Sequence, residues 1–164
     1  MDRYPMRRRL VGIAMSGFSL AALAAGPGPA WGDGARPVTI SPGGSRGCLA
    51  IQRASQSSGK SAVIADCHGK ISQQWVRTTL KQLQVRHSGL CLTILDGNKK
   101  RGAPVIQGAC ATGRSKDQQW YVSAKGEIRS KLNHMCLTVS HGGSQITMDG
   151  CNGTPDQSWK LKPR

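Results

Sequence analysis

A threefold internal repeat constrains this chain more than any other feature. The tripeptide Gln-x-Trp occurs at residues 73–75, 118–120 and 157–159, and each copy follows a pair of cysteines. The three tryptophans are 45 and 39 residues apart, and the interval from a tryptophan to the next first cysteine is 16 residues in both cases. Repeats of this kind build one supersecondary unit several times. The chain therefore has to fold as three equivalent units.

Four short segments in each unit have the composition of β-strands. The first strand begins with Cys-Leu, a turn rich in Gly, Ser, Asn and Lys follows, and a second apolar strand leads to the second cysteine. The first strands are predicted at 48–51, 91–94 and 136–139, the second at 62–65, 104–107 and 145–148, and the fourth at 38–40, 83–85 and 127–129, while the third begin at the tryptophans. Helical periodicity is not sustained anywhere after residue 33, which predicts an all-β fold.

Two architectures use four-stranded units of about this length. A β-propeller has typically four to eight blades, and this chain has three units and no Gly-His…Trp-Asp signature. The remaining architecture is the β-trefoil, in which three four-stranded units surround a pseudo-threefold axis. We predict a β-trefoil domain over residues 33–164, with units at about 38–75, 76–120 and 121–164. The N-terminal strand completes the last unit, so the ends of the domain should lie close together.

Residues 1–32 have the features of a secretory signal peptide. Basic residues at positions 3 and 7–9 precede an apolar run at 10–26, and small residues offer a cleavage site before Asp33. A membrane anchor is the alternative, but the run is short and diluted by Gly and Ser, whereas a spanning helix needs about 20 mostly apolar residues. We therefore expect a secreted or periplasmic protein without a membrane span after cleavage.

All six cysteines lie in the predicted domain: Cys48, Cys67, Cys91, Cys110, Cys136 and Cys151. An even number in an exported chain predicts disulfides. If the three units are equivalent, the cysteines pair either within each unit or cyclically between units, and the repeat alone leaves both schemes open. Loops of the within-unit size would each contribute about 3 kcal/mol in the chain-entropy model.

The Gln-x-Trp residues themselves suggest structural roles. A tryptophan that recurs once per unit should lie in the core, so Trp75, Trp120 and Trp159 are predicted to pack in the interior of a chain with one Phe and two Tyr. The recurring glutamine can hold backbone groups of the preceding turn through its two donors and its carbonyl. A purely structural role and a shared structural and ligand-binding role both stay open for the glutamine.

Three Gln-x-Trp motifs, each after a Cys-Leu-x-[Ile/Val]…Cys pair, resemble the ricin B-type lectin family, the R-type β-trefoil. The resemblance extends from about residue 38 to residue 164. It implies secretion, disulfides within units, and carbohydrate binding at up to three shallow sites, usually for galactose-type or related sugars. It also implies that the domain has no catalytic activity and needs no cofactor.

The family's sugar site has three recognisable parts around the motif. They are an Asp two residues after the first cysteine, an aromatic residue two before the second cysteine, and an Asn before the motif's glutamine. In this chain the Asp position holds Ala50, Thr93 and Thr138, the aromatic position Ala65, Gly108 and Asp149, and the Asn position Ser72, Asp117 and Asp156. Only Gln73, Gln118 and Gln157 match in every unit, so the resemblance supports the fold more strongly than the sugar site.

Units two and three retain polar side chains at these positions. The candidate carbohydrate-binding residues are Thr93, Asp117 and Gln118 in unit two and Thr138, Asp149, Asp156 and Gln157 in unit three. A hydroxyl is a weaker acceptor than a carboxylate, because charge-assisted hydrogen bonds are roughly twice as strong as neutral ones. The missing aromatic residue removes the stacking surface. We therefore predict weak glycan binding or an altered specificity.

The charge balance supports an alternative function. After cleavage before Asp33 the chain has 19 Lys and Arg against seven Asp and Glu, a net charge of +12. A β-trefoil scaffold could bind an acidic protein or an anionic surface, as a toxin-type accessory subunit or an inhibitor would. The basic residues are scattered and their densest cluster, 99–101, falls in a predicted turn, so no specific nucleic-acid partner is expected. No metal-binding or catalytic motif is present, and we expect neither metal nor enzymatic activity.

Overall fold

The computed structural model describes residues 36–44, 46–140 and 142–164. The predicted signal peptide, residues 1–32, lies outside these residues. Across the described ranges the chain forms twelve β-strands, and its helical residues are confined to short 3₁₀ turns, which confirms the all-β prediction. The strands are β1 Val38–Pro42, β2 Cys48–Ile51, β3 Ala62–Ala65, β4 Trp75–Arg77, β5 Leu83–Val85, β6 Cys91–Ile94, β7 Val105–Gly108, β8 Trp120–Val122, β9 Ile128–Ser130, β10 Cys136–Val139, β11 Ile146–Asp149 and β12 Trp159–Pro163.

The predicted strand bounds agree with the structure to the residue for the first strand of every unit. The second strands of units two and three begin one residue later than predicted. Pro104 and Gln145, the residues that were expected to open these strands, instead form isolated bridges to Thr147 and Val63 of neighbouring hairpins. The fourth strand β9 is also shifted by one residue, to Ile128–Ser130.

Three hairpins give the fold its threefold character. The first and second strands of each unit pair antiparallel, as β2–β3, β6–β7 and β10–β11. Isolated bridges join β3 to Gln145, the residue before β11, and residue 61 to β7, and a third bridge joins Pro104 to β11. Because each hairpin contacts the other two, the three hairpins close around one axis, as in a β-trefoil.

The N-terminal strand completes the last unit, as predicted. β1 pairs antiparallel with β12 over its whole length, and Val38 also pairs with Trp75 of β4. At the end of this pairing the backbone N–H of Arg164 donates to the carbonyl of Pro37 at 2.9 Å. The two ends of the domain therefore lie side by side.

The tryptophans of the three motifs lie in one apolar core. Trp75, Trp120 and Trp159 are 0%, 1% and 3% exposed, in agreement with the sequence prediction. Each indole Nε1 donates to the carbonyl of the leucine that follows the first cysteine of its unit. The acceptors are Leu49, Leu92 and Leu137, at 3.0, 3.1 and 2.9 Å. Each unit thereby buries a large aromatic ring without leaving its N–H group unpaired.

Each unit contains its own disulfide. The bonds are Cys48–Cys67, Cys91–Cys110 and Cys136–Cys151. This is the within-unit scheme that the resemblance implies and that the repeat alone did not distinguish from cyclic pairing. In the described part of the chain no helix has the length and apolar character needed to cross a membrane.

Candidate functional site

The first glutamine of each motif holds the segment around the second cysteine. It is buried, and it ends a 3₁₀ turn: Ile71–Gln73, Lys116–Gln118 or Pro155–Gln157. Its Nε2 donates to the carbonyl of the residue before that cysteine, and its Oε1 accepts from the N–H of the residue after it. The pairs are Gln73 with Asp66 and His68 at 2.7 and 2.9 Å, Gln118 with Ala109 and Ala111 at 2.7 and 2.8 Å, and Gln157 with Gly150 and Asn152 at 2.8 Å each. These bonds supply a structural role for the glutamine in every unit.

The glutamines differ in the hydrogen-bonding capacity that they have left. Gln157 donates its second N–H to the Thr138 hydroxyl at 3.1 Å, so both of its donors are used inside the fold. Gln118 keeps one N–H, while its Oε1 accepts a second bond, from Gln82 Nε2 at 3.1 Å. A ligand could therefore receive a hydrogen bond from Gln118 but not from Gln157 in this arrangement.

Unit two brings together two of its predicted site residues. Thr93, on β6, donates its hydroxyl to Asp117 Oδ2 at 2.8 Å, and Asp117 is half-buried in the 3₁₀ turn beside it. Ser115 donates its hydroxyl to the other carboxylate oxygen, Oδ1. A carboxylate has about four acceptor positions, so two remain for hydroxyl groups of a ligand. We refer to these three residues as the Asp117 cluster.

Unit three does not assemble the same cluster. The Thr138 hydroxyl donates to the carbonyl of Cys136 at 2.9 Å, and because a hydroxyl has one hydrogen it cannot also donate to Asp156. Asp156 lies against Gly44, where an added Cβ would be 3.2 Å from Asp156 Oδ1 and 2.6 Å from Cβ of Pro155. The loop that follows β1 therefore reduces the space through which a ligand could reach the Asp156 carboxylate.

Asp149, the third candidate in unit three, is engaged elsewhere. Its Oδ1 accepts from Arg101 Nε at 2.6 Å and from the backbone N–H of Gly150 at 2.6 Å. The hydrogen bond and the charge of this carboxylate raise the pKa of Arg101, although arginine is fully protonated at neutral pH in any case. Asp149 therefore joins unit three to the turn of unit two.

Unit one has the least polar site. Ala50 and Ser72, at the Asp and Asn positions of the family, are both buried, and alanine offers no acceptor. Ala65, at the aromatic position, is exposed and has no ring on which a sugar could stack. Nothing at these positions corresponds to the Asp117 cluster.

Some members of the site were not found from the sequence. Ser115 belongs to the Asp117 cluster, and its only sequence signal is a hydroxyl two residues before a carboxylate in a turn. Gln82, which reaches Gln118 Oε1, is buried and also donates to the carbonyl of Ala111 at 2.9 Å. No local pattern connects Gln82 with a motif 36 residues later.

One group of potential metal ligands lies close together in the described ranges. Glu127, Cys136 and Cys151 have ligand atoms within 4.8 Å of one another. The two cysteines form a disulfide with each other, and a metal ligand has to be a thiolate. This group is consequently not a metal site.

This protein is a β-trefoil. It has three hairpins around one axis, one shared core, and in each unit a glutamine that holds the segment around the second cysteine. The protein-family model of the ricin-type β-trefoil lectin domain matches residues 79–164, which is more than half of the chain. A second protein-family model, described as ricin-type β-trefoil lectin domain-like, matches residues 30–108. The chain belongs to the ricin-type β-trefoil lectin family, whose members bind glycans and whose lectin domain is typically non-catalytic.

Solved structures agree on the fold. A designed threefold-symmetric protein, ThreeFoil, is 25% identical, covers 78% of this chain and 99% of its own, and has a TM-score of 0.73. The C-terminal half of an earthworm R-type lectin, in complex with GalNAc, is 12% identical over 79% of this chain and 99% of its own, with a TM-score of 0.67. The β-trefoil lectin of the Vibrio vulnificus hemolysin/cytolysin, with N-acetyl-D-lactosamine bound, is 21% identical over 80% and 96%, with a TM-score of 0.66.

Proposed function

We propose that this protein is a secreted, non-catalytic glycan-binding module whose principal sugar site is the Asp117 cluster of unit two. The observation that carries the proposal is the hydrogen bond from Thr93 to Asp117, at two of the positions where the family holds sugar hydroxyls. In this proposal the sites of units one and three are degenerate. Thr93, Asp117 and Gln118 bind the sugar, whereas Thr138, Asp149, Asp156 and Gln157 have structural roles.

The chemistry of the Asp117 cluster suits neighbouring hydroxyl groups of one sugar ring. Each carboxylate oxygen already accepts one hydroxyl, from Ser115 or from Thr93, and has a second acceptor position. Relative to the usual family site, the carboxylate and the neutral side chain have exchanged places. The sugar hydroxyls would donate to Asp117 instead of to the residue at position 93.

Affinity at this site should be low. Two hydrogen bonds to a charged group contribute about 1.5–3 kcal/mol each, and a Kd of 1 mM corresponds to about 4 kcal/mol. Gly108 stands where the family has an aromatic residue, and a Cβ there would be 3.0 Å from Cγ2 of Thr93. Glycine provides no ring on which a sugar could stack, and we expect millimolar binding of a single sugar.

Galactose-type sugars are the first candidates for the ligand. Two solved trefoils of similar fold carry GalNAc and N-acetyl-D-lactosamine. The low identity to both supports no finer choice of sugar than this class.

Export is part of the same proposal. Three disulfides are typical of oxidising compartments, and residues 1–32 have the charge and apolar pattern of a cleavable signal. We infer that the protein acts outside the cytoplasm, in the periplasm or the surrounding medium.

An acidic protein or anionic surface is the second candidate partner. The net charge of +12 after cleavage before Asp33 supports it, as does the small number of ion pairs in the described ranges, where Arg101–Asp149 and Arg129–Glu127 are formed. Binding of this kind would weaken steeply with salt, because the Debye length falls from about 30 Å at 0.01 M to about 8 Å at 0.15 M ionic strength.

A glycan array that detects millimolar binding, probed at two salt concentrations, tests both candidates. We expect galactose-type glycans to retain the protein at 0.15 M salt, loss of that signal in Asp117→Ala, and its persistence in the matched control Asp156→Ala. If no glycan retains the protein at either salt concentration, or if both variants lose binding equally, the Asp117 cluster is not the site. Retention that disappears with salt for every ligand would instead favour the anionic partner.

A further inference from the structure

A cavity whose lining includes no residue of the Asp117 cluster has a different chemistry from that cluster. It has a volume of about 310 Å³. Its lining consists of Thr79, Leu80, Lys81, Arg114, Gln119 and Lys131. Three of these six residues are cations and none is an acid. The cavity lies between the β4–β5 turn and the second Gln-x-Trp motif, and we call it the cationic cavity.

Within the described ranges, none of the three cations that line the cationic cavity forms an ion pair with a carboxylate. The ion pairs of the described residues involve Arg101 and Arg129, and neither of these lines the cavity. Lys81 Nζ stands 5.0 Å from the centroid of the Tyr121 ring, which attracts the ammonium group and leaves its charge in place. A concave surface lined by one sign of charge concentrates its field and attracts a counter-ion of opposite sign.

Gln119 provides an independent indication that a ligand binds here. The residue is 5% exposed, and its Nε2 donates to the carbonyl of Leu80 at 3.1 Å. Its Oε1 is a buried acceptor that has no hydrogen-bond partner among the described residues. Buried polar groups are paired in most folded proteins, and an exception requires a specific explanation.

The equivalent glutamine of unit one shows what is missing. Gln74 Oε1 accepts from Arg86 Nη1 at 2.5 Å. The backbone N–H groups of Arg86 and Lys131 donate to the carbonyls of Gln74 and Gln119, both at 2.9 Å, so Lys131 occupies the place of Arg86. In unit one the cation satisfies the glutamine, whereas in unit two the glutamine has a spare acceptor and the cation lines a cavity.

We propose that the cationic cavity binds the sulfate or carboxylate group of an acidic saccharide. The oxyanion would be held by Arg114 and Lys131. A rotation of the Gln119 amide toward the cavity would let a ring hydroxyl supply the donor that its Oε1 lacks. A volume of about 310 Å³ is at the lower end of the range for small-molecule pockets, which suits one sugar residue. The site shares no residue with the Asp117 cluster, so this proposal does not depend on the sugar site of unit two.

Titrations of the mature protein, followed by ¹⁵N amide shifts at constant ionic strength, test this proposal. The probes are galactose 6-sulfate, galactose and inorganic sulfate. We expect galactose 6-sulfate to bind at least ten-fold more tightly than either of the other two and to shift the amides of residues 80, 81, 119 and 131. Equal binding of inorganic sulfate, or the absence of shifts at these four residues, would overturn the proposal.

A pair of double variants separates a built site from general attraction by positive charge. Arg114→Gln with Lys131→Gln should weaken binding of galactose 6-sulfate at least ten-fold. The control, Lys99→Gln with Lys100→Gln, removes the same charge from an exposed turn and should change the affinity less than two-fold. Equal losses in the two double variants would contradict the proposal, and the ¹⁵N spectra verify that both remain folded.

The same titrations distinguish failure at this cavity from failure of the proposed function. Asp117→Ala should abolish the binding of neutral galactose and leave galactose 6-sulfate in the cationic cavity. If Asp117→Ala abolishes both, the acidic sugar binds at the Asp117 cluster and the cavity has no role in recognition.

Discussion

Replacing Gln157 with leucine tests whether the motif's glutamine is needed for the fold. Gln157→Leu removes hydrogen bonds to the N–H of Asn152, the carbonyl of Gly150 and the hydroxyl of Thr138, at 2.8, 2.8 and 3.1 Å. Leucine has a similar volume, so the added cost from a cavity is small. The measured loss should therefore report the hydrogen bonds.

The expected magnitude follows from those bonds. Each hydrogen bond contributes about 0.5–1.5 kcal/mol net. Because Gln157 is 1% exposed, water cannot readily replace it as the partner of the groups that it leaves unpaired. We expect the free energy of unfolding to fall by about 2–4 kcal/mol. With a slope of about 2 kcal/mol per M, this lowers the urea midpoint by about 1–2 M.

Equilibrium unfolding in urea, with the disulfides oxidised, measures this loss. Gln52→Leu is the matched control, because Gln52 is exposed at the start of a 3₁₀ turn. Its free energy of unfolding should stay within about 0.5 kcal/mol of the parent value. An unchanged midpoint in Gln157→Leu would refute the structural role. Lost glycan binding with unchanged stability would assign the glutamine to the ligand instead.

Three further predictions concern the backbone, the disulfides and the sugar site. Gly126→Ala should destabilise the domain by about 2–4 kcal/mol in urea unfolding, since Gly126 has φ +84° and a Cβ would be 2.6 Å from the carbonyl oxygen of Trp159. The control Gly97→Ala, at φ +60° with no atom within 4 Å of the added Cβ, should cost only about 1–2 kcal/mol. Equal losses of stability in the two variants would refute the effect of the contact with Trp159. Reduction of the three disulfides should remove about 9 kcal/mol, comparable to the whole stability of about 5–15 kcal/mol, so circular dichroism at 37 °C should show unfolding; a native spectrum would contradict this. Thr93→Asp combined with Asp117→Asn restores the family arrangement and should tighten galactose binding about ten-fold by calorimetry, whereas a weaker affinity would show that the exchanged arrangement is the better one here.

The fold could be predicted from the sequence because its determinants are local and repeated. Cys-Leu-x-Ile or Cys-Leu-x-Val forms a fully buried strand in every unit. The interval of 16 residues from a tryptophan to the next first cysteine is the same in both cases. The bounds were wrong by one residue at Pro104 and Gln145, since these residues pair across hairpins and not within their own. Pairing between units depends on the threefold arrangement, which no single segment encodes.

The site was harder to predict because its contacts join separate segments. Thr93 and Asp117 were identified by their positions in the motif, but their mutual hydrogen bond spans 24 residues. The bond between Arg101 and Asp149 spans 48 residues and crosses from one unit to another. Sequence alone placed Asp149 among the sugar-binding candidates, and only the packing of the two units shows its ion-pair partner.

The central claim, that the sugar site survives in unit two, is tested most directly by one titration. N-acetyl-D-lactosamine added to ¹⁵N-labelled mature protein, up to roughly 10 mM, should shift the amides of Thr93 and residues 115–118 and leave those of Thr138 and Asp156 unchanged. Shifts centred on Thr138 and Asp156, or no shifts in any of the three units, would contradict it.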